Sequence, residues 1–181
     1  MKEYAENLNA QAINLASKGL FKESIACFRK AIQLESSNYL LWFNLGITYR
    51  DSGNLKSAKK AMLEAYKLNP KDSDVIEALS LIYYNLDDID SAFMYCATGI
   101  EENPQNARMW NNMGVFFFSK GDYKEASEVL ETAVSLNPHY YDALYNLRDT
   151  YKELGNIAGS EECNLKLKSL SYNSSRRNKY V

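Results

Sequence analysis

The chain has 181 residues, 46% of them apolar and 24% charged, and its 21 Lys and Arg against 23 Asp and Glu leave a net charge of −2. That is the composition of an ordinary globular protein; it gives no support to nucleic-acid binding, which rests on clustered positive charge, and no apolar run approaches the ~18 residues needed to cross a bilayer. The opening MKEYAENLNAQ lacks the apolar stretch of a signal peptide, and three widely spaced cysteines without a CxxC pair suit a reduced, cytoplasmic setting, while 3 prolines and 8 glycines favour helices over turn-rich β structure.

Pro70, Pro104 and Pro138 each follow an asparagine and stand 34 residues apart. Gly19, Gly53, Gly121 and Gly155 keep the same period, with Asp87 in the missing place. So do Leu15, Tyr49, Tyr83, Phe117 and Tyr151, the small residues Ser24, Ala58, Ala92, Ala126 and Ser160, and the column Ala31, Ala65, Gly99, Ala133. A fixed period of this length marks stacked copies of one supersecondary unit. The units are 5–38, 39–72, 73–106, 107–140 and 141–174, with no insertion between them.

Each unit reads as two helices. In 5–38 the break falls at Gly19, and Ser24, Phe28 and Ala31 mark the second helix. In 39–72 the first helix carries Trp42, Leu45, Gly46 and Tyr49, Gly53 closes it, and Ala58 and Ala65 lead to a stop at Pro70. In 73–106 Asp87 is expected to take the left-handed conformation that glycine takes elsewhere, since short polar side chains tolerate it better than most. In 107–140 Trp110, Met113 and Phe117 have helical spacing, Gly121 ends that helix, and Asn137-Pro138 stops the second, because proline disfavours helical geometry in the residue before it. Gly114 is expected opposite Ala126 and Ala133, with Tyr123 and Leu130 on the flanks. Within Phe116-Phe117-Phe118, successive side chains turn about 100°: Phe117 should face its own second helix as core, Phe116 the next repeat, and Phe118 the remaining face. Unit 141–174 departs most from the pattern, and 175–181 is a polar, basic tail expected to be disordered.

Period, helix pairing and the order Trp–x2–Leu/Met–Gly–x2–Tyr/Phe…Ala…Ala…Pro resemble the tetratricopeptide repeat (TPR) family, most fully in 39–72 and 107–140. The resemblance implies an all-α fold, a right-handed α-solenoid of five tandem helix-turn-helix units forming one domain over 1–174, with the first helix of each pair lining a concave face. The terminal units depart from it, as terminal repeats do when one face meets water. Gln11 and Ser36 replace leucine and proline in the first. In the last, Arg148 replaces glycine, Ser160 and Asn164 stand where apolar packing is expected, and Tyr172 replaces proline. Its second helix, with Lys166 and Lys168, reads as a degenerate solvating cap.

No catalytic, cofactor or metal constellation is found, so the chain reads as a non-enzyme. His139, the single histidine, follows a proline in a predicted loop, which excludes a His-based triad beyond it. Cys27, Cys96 and Cys163 fall in different repeats rather than in a zinc-binding cluster, and Cys96 occupies the large apolar place of Phe28, Met62 and Leu130. No phosphate-loop pattern appears. Asp87-Asp88-Ile89-Asp90 lacks the spacing of a calcium loop and reads as a solvated turn.

The family resemblance turns attention to the concave face. Projecting the first helices places Phe43, Ile47 and Arg50 there, then Glu77, Leu81 and Tyr84, then Arg108, Asn111, Val115 and Phe118, then Tyr145 and Asp149. Aromatic anchors commonly dominate binding energy, and Phe43, Tyr84 and Phe118 are the strongest candidates. Asn44, Asn112 and Asn146 recur in one column, interrupted by Ala10 and Ala78; asparagine donates and accepts together and can grip a peptide backbone, as the asparagine ladder of some TPR proteins implies. The carboxylate clamp of chaperone-binding members is not matched: the corresponding places hold Asn9, Ile13, Asn44, Asp74 and Ala78. The reading is a cytoplasmic adaptor for a peptide or helical segment with apolar and some basic residues, without nucleic acid or membrane. A scaffold that forms homo-oligomers through its terminal units is the alternative. Charge asymmetry bears on both, since 73–106 holds seven acidic residues and no Lys or Arg.

Overall fold

The computed structural model describes residues 4–177, so the last four residues of the expected tail, 178–181, lie outside the described residues. Among these there are ten helices and no strand: α1 (Ala5–Ser17), α2 (Phe21–Leu34), α3 (Tyr39–Asp51), α4 (Leu55–Leu68), α5 (Ser73–Asn85), α6 (Ile89–Glu102), α7 (Ala107–Lys120), α8 (Tyr123–Leu136), α9 (Tyr141–Glu153) and α10 (Ile157–Arg177). Two helices fall in each 34-residue period, so the fold is all-α. The helices pack as two compact units, Met1–Tyr95 and Cys96–Val181, divided within α6.

The helix ends follow from the residues that set the period. Asn38, Asp72 and Asn106 accept hydrogen bonds from backbone N–H groups of the turns they open, at Leu40, at Asp74 and Val75, and at Arg108. Each satisfies donors that a helix start leaves without an intrahelical partner. Gly121 closes α7 with φ of 81°, and Asp87 stands at φ of 62° after α5, the left-handed conformation expected of it. Before the prolines, Asn69 and Asn137, at ψ of 85° and 90°, leave the helix with φ near −140°. Glu35 does the same although Ser36 follows it, so the stop at that register does not depend on proline alone. α10, with Tyr172 in the proline place, runs 21 residues where α2, α4, α6 and α8 have 14. It takes in residues 175–177, where the tail was expected to begin.

In Met1–Tyr95 the pairs α1/α2 and α3/α4 stack through α2 on α3 and α4 on α5. The buried core runs through Ala12, Phe28, Ala31, Leu41, Met62, Ala65, Ile76, Leu79 and Ile82. Ser24, in a place the period reserves for small residues, is fully buried and donates from its hydroxyl to the Ala12 carbonyl at 2.8 Å. In Cys96–Val181, α7/α8 and α9/α10 stack through α8 on α9, around Ala126, Leu130, Leu144, Leu147, Cys163 and Leu167. At the close approach of α7 and α8 Leu130, expected on the flank, lies nearest: a Cβ at Gly114 would run into its side chain, and Ala126 and Ala133 are wholly buried. Of the three phenylalanines Phe116 is wholly buried, while Phe117 and Phe118 are half-buried and both pack against the Leu130–Leu144 core.

α10 is two-sided. Ser160, Cys163 and Leu167 are buried, while Ile157 and Leu165 are 72% and 67% exposed. Lys166 bridges Glu162 at 2.7 Å. The outer face expected to be a solvating cap therefore carries two large apolar side chains among its charges.

Candidate functional site

The candidate binding residues lie on first helices, and each compact unit presents its own face. In Met1–Tyr95, α3 supplies Phe43, Asn44, Ile47 and Arg50 on one side, and α5 supplies Glu77, Leu81 and Tyr84; all seven are half-buried. Arg50 is held by Asp51 at 2.9 Å. The Asn44 amide donates from Nδ2 to Asn9 Oδ1 at 3.1 Å, tying α3 to α1.

In Cys96–Val181 the convergence is tighter. Val115 and Phe118 of α7 and Asn146 and Asp149 of α9 enclose a pocket of about 100 Å³. Asn146 Nδ2 donates to Asn111 Oδ1 at 2.9 Å, repeating the bond between Asn44 and Asn9. Asn111 and Asn112 are buried, Arg108 is exposed, and Tyr145 is 43% exposed. Phe118 also packs edge-on against Tyr123 at 5.2 Å, so one side of its ring is committed to the repeat and another lines the pocket.

Two of the asparagines expected to grip a peptide thus spend one N–H on the preceding first helix. Each primary amide keeps a second N–H and its oxygen, so these bonds fix its orientation and leave it able to bind. Burial of Asp149 works to raise its pKa, but hydrogen bonds from Arg148 and Lys152 outweigh that and hold it below the usual carboxylate range. Both contacts are short, 2.9 Å from Arg148 and 3.0 Å from Lys152. The Arg148 guanidinium also lies 4.0 Å from the centroid of the Tyr145 ring, a cation–π contact. Sequence reasoning treated Arg148 only as a misplaced glycine. Its spacing, three residues after Tyr145 and beside Asp149, was the signal that it braces both.

Models of the tetratricopeptide repeat match residues 5–38, 39–72, 78–141 and 117–169. Among curated relatives, the BBSome complex member BBS4 of Bos taurus is 26% identical over 140 residues, which is 77% of this chain and 27% of that protein. The chain spans between 17% and 33% of the length of the curated relatives it matches, the BBS4 protein among them. Among solved structures, MamA superposes with a TM-score of 0.76 at 21% identity, over 93% of this chain and 97% of that one. YrrB, described as a TPR protein with an unusual peptide-binding site, superposes with a TM-score of 0.69 at 22% identity, over 90% and 84%. These structures share the helical-repeat solenoid fold. The repeat models together cover nearly the whole of the period found in the sequence, and the chain belongs to the tetratricopeptide repeat family.

Proposed function

We propose that this chain is a protein–protein interaction module, not an enzyme, whose first-helix faces hold an extended or helical segment of a partner protein. The observation that carries the reading is the pocket in which Val115, Phe118, Asn146 and Asp149 converge. It joins an apolar wall to an oriented amide, a combination suited to one apolar side chain and the adjacent peptide group. Asp149 already holds Arg148 and Lys152, so this pocket is assigned the apolar side chain of the partner and not a basic one. A cytoplasmic setting belongs to the same proposal; among the described residues no helix is long and apolar enough to cross a membrane.

The test is affinity capture from the source cell with the native chain beside Phe118→Ala and Tyr84→Ala. The expected result is loss of specifically captured protein from both variants, with helical circular dichroism unchanged. Capture that survives both would sink the groove reading. Self-association through the terminal units is the competing reading, supported by the exposed Ile157 and Leu165. Light scattering of the same preparations over a concentration series separates the two, because only self-association makes mass rise with concentration.

A further inference from the structure

The face of α3 turned away from Phe43 and Ile47 opens on a second cavity. A cleft of about 650 Å³ lies between α2 and α4, floored by α3. Trp42, Leu45 and Tyr49 form the floor, and Arg29, Lys60 and Lys67 stand on the walls. The floor is set in place: Trp42 Nε1 donates to the Ser36 carbonyl at 2.9 Å, and Arg29 donates to the Tyr49 hydroxyl at 2.8 Å. The volume falls in the range of sites that take a bulky organic group, roughly 300–1,000 Å³.

The chain's own repeats show why this cleft is open. One period later the place of Ala61 is held by Tyr95, which stacks on Tyr83 at 5.3 Å and meets Tyr66 edge-on at 5.5 Å. Tyr83 and Tyr66 stand in the places of Tyr49 and Ile32, so three rings fill the equivalent space there. Three periods later Cys163 takes the Ala61 place and is buried in the core with Leu144 and Leu147. Ala61 and Ile32, where the next repeat has Tyr95 and Tyr66, therefore leave the α2–α4 cleft without those rings.

Its charge is equally distinct. α2 and α4 together carry seven Lys and Arg against two Glu, in a chain whose net charge is −2. Glu64 is engaged by Lys67 at 2.6 Å, which leaves Arg29 and Lys60 as the wall charges that no carboxylate among the lining residues balances.

We propose that this cleft is a second protein-binding site, which seats a bulky apolar side chain of an acidic segment on Trp42, Leu45 and Tyr49 while its carboxylates meet Arg29 and Lys60. The apolar floor selects against a simple polyanion, which would use the cations and leave the floor wet. An acidic amphipathic helix of a partner uses both, and its charge complements the walls. The site is independent of the first-helix faces, which draw on the other side of α3.

The chain has two tryptophans, and Trp110→Phe leaves Trp42 as a reporter inside the cleft. The probe is a short synthetic helical peptide with Leu and Phe at helical spacing and glutamate elsewhere. The expected result is a saturable change in Trp42 emission that weakens roughly tenfold or more with Ala61→Tyr, which imports the ring that closes the next repeat. The pair Arg29→Glu and Lys60→Glu should weaken it as much, and a peptide with lysine for glutamate should give no change. Phe118→Ala should leave the response intact, so this site and the first-helix face can fail separately. Urea unfolding of Ala61→Tyr confirms its fold, and the charge-reversed pair serves if that variant unfolds. An unaltered response in the charge-reversed pair, an equal response to polyglutamate or RNA, or a Trp42 change on raising the concentration of the chain alone would each overturn the proposal. The last two outcomes would mark a polyanion surface and a contact between two copies.

Discussion

The helices α2, α3 and α4 and the helices α8, α9 and α10, three periods apart, repeat one backbone arrangement with opposite surfaces. The first carries a cleft lined by Trp42, Leu45 and Tyr49; the second gathers Leu144, Leu147 and Cys163 into a buried core. Arg29 and Lys60 in the first correspond to Glu131 and Glu162 in the second. The tyrosine between them keeps its place and its reach. Tyr49 accepts from Arg29 at 2.8 Å, and Tyr151 donates to Glu131 at 2.8 Å. A hydroxyl serves as donor or acceptor, so the wall charge changes sign while the contact from first helix to preceding second helix persists. The repeat thus specifies where helices meet and leaves the chemistry of each junction to a few substitutable places.

The largest effect is expected where the closed junction is emptied. Leu144 is wholly buried, and Leu144→Ala should cost about 3 kcal/mol, the usual cost of such a truncation in a core that relaxes only partly. Its counterpart Trp42 stands at an open cleft, so Trp42→Leu should cost only about 1 kcal/mol, chiefly its hydrogen bond to Ser36. Urea midpoints with unchanged slopes measure both. Equal losses would mean that the cleft is as tightly packed as its counterpart.

A tyrosine-filled junction should be sensitive to alkali. Burial first, then the neighbouring Tyr83 and Tyr66, push the Tyr95 phenol up to about 12 from an ordinary value of 10.0. The unfolded chain ionises this group first, so its contribution is complete below pH 10 and is lost as pH rises from about 10 to about 12. Tyr95→Phe removes the titrating group, and thermal unfolding should then lose less stability across that window than in the native chain. An unchanged slope would place the alkaline sensitivity on other groups.

How much of this was legible beforehand follows from which residues recur. The columns of glycine, alanine, aromatic and proline residues locate the helix boundaries to within a few residues up to the end of α10, which overruns its register, because each column meets a steric demand present in the units that keep it. Asp87 at positive φ was readable for the same reason. Leu130, expected only on the flank of the α7–α8 approach, is the side chain nearest Gly114, since a column of small residues shows that space is scarce and not which side chain fills it. Four of the expected groove residues meet in one pocket, but the bonds from Asn146 to Asn111 and from Arg148 to Asp149 depend on side-chain reach, which spacing alone leaves open. The α2–α4 cleft was missed because its cause is a departure within two columns, Ala61 against Tyr95 and Ile32 against Tyr66. Ala61 is unremarkable alone and informative only beside Tyr95 and Cys163.

The smallest effect tests the exchange of charge across the tyrosine hydroxyl. Tyr49→Phe removes the acceptor and should cost roughly 0.5–1.5 kcal/mol, the net worth of one hydrogen bond in a partly buried setting. In a double-mutant cycle with Arg29→Ala the two losses should overlap, with a coupling of about 0.5–1 kcal/mol, because either change alone breaks the same bond. Arg29→Glu is the more telling partner. The Tyr49 hydroxyl can turn and donate to the new carboxylate, as Tyr151 does to Glu131, so coupling should persist with the charge reversed. If coupling vanishes with Arg29→Glu, the hydroxyl is fixed as an acceptor by its surroundings, and the two junctions differ in more than the residue opposite the tyrosine. If it persists, the wall of the cleft can change sign without disturbing the stack beneath it, and charge at this junction is set independently of fold.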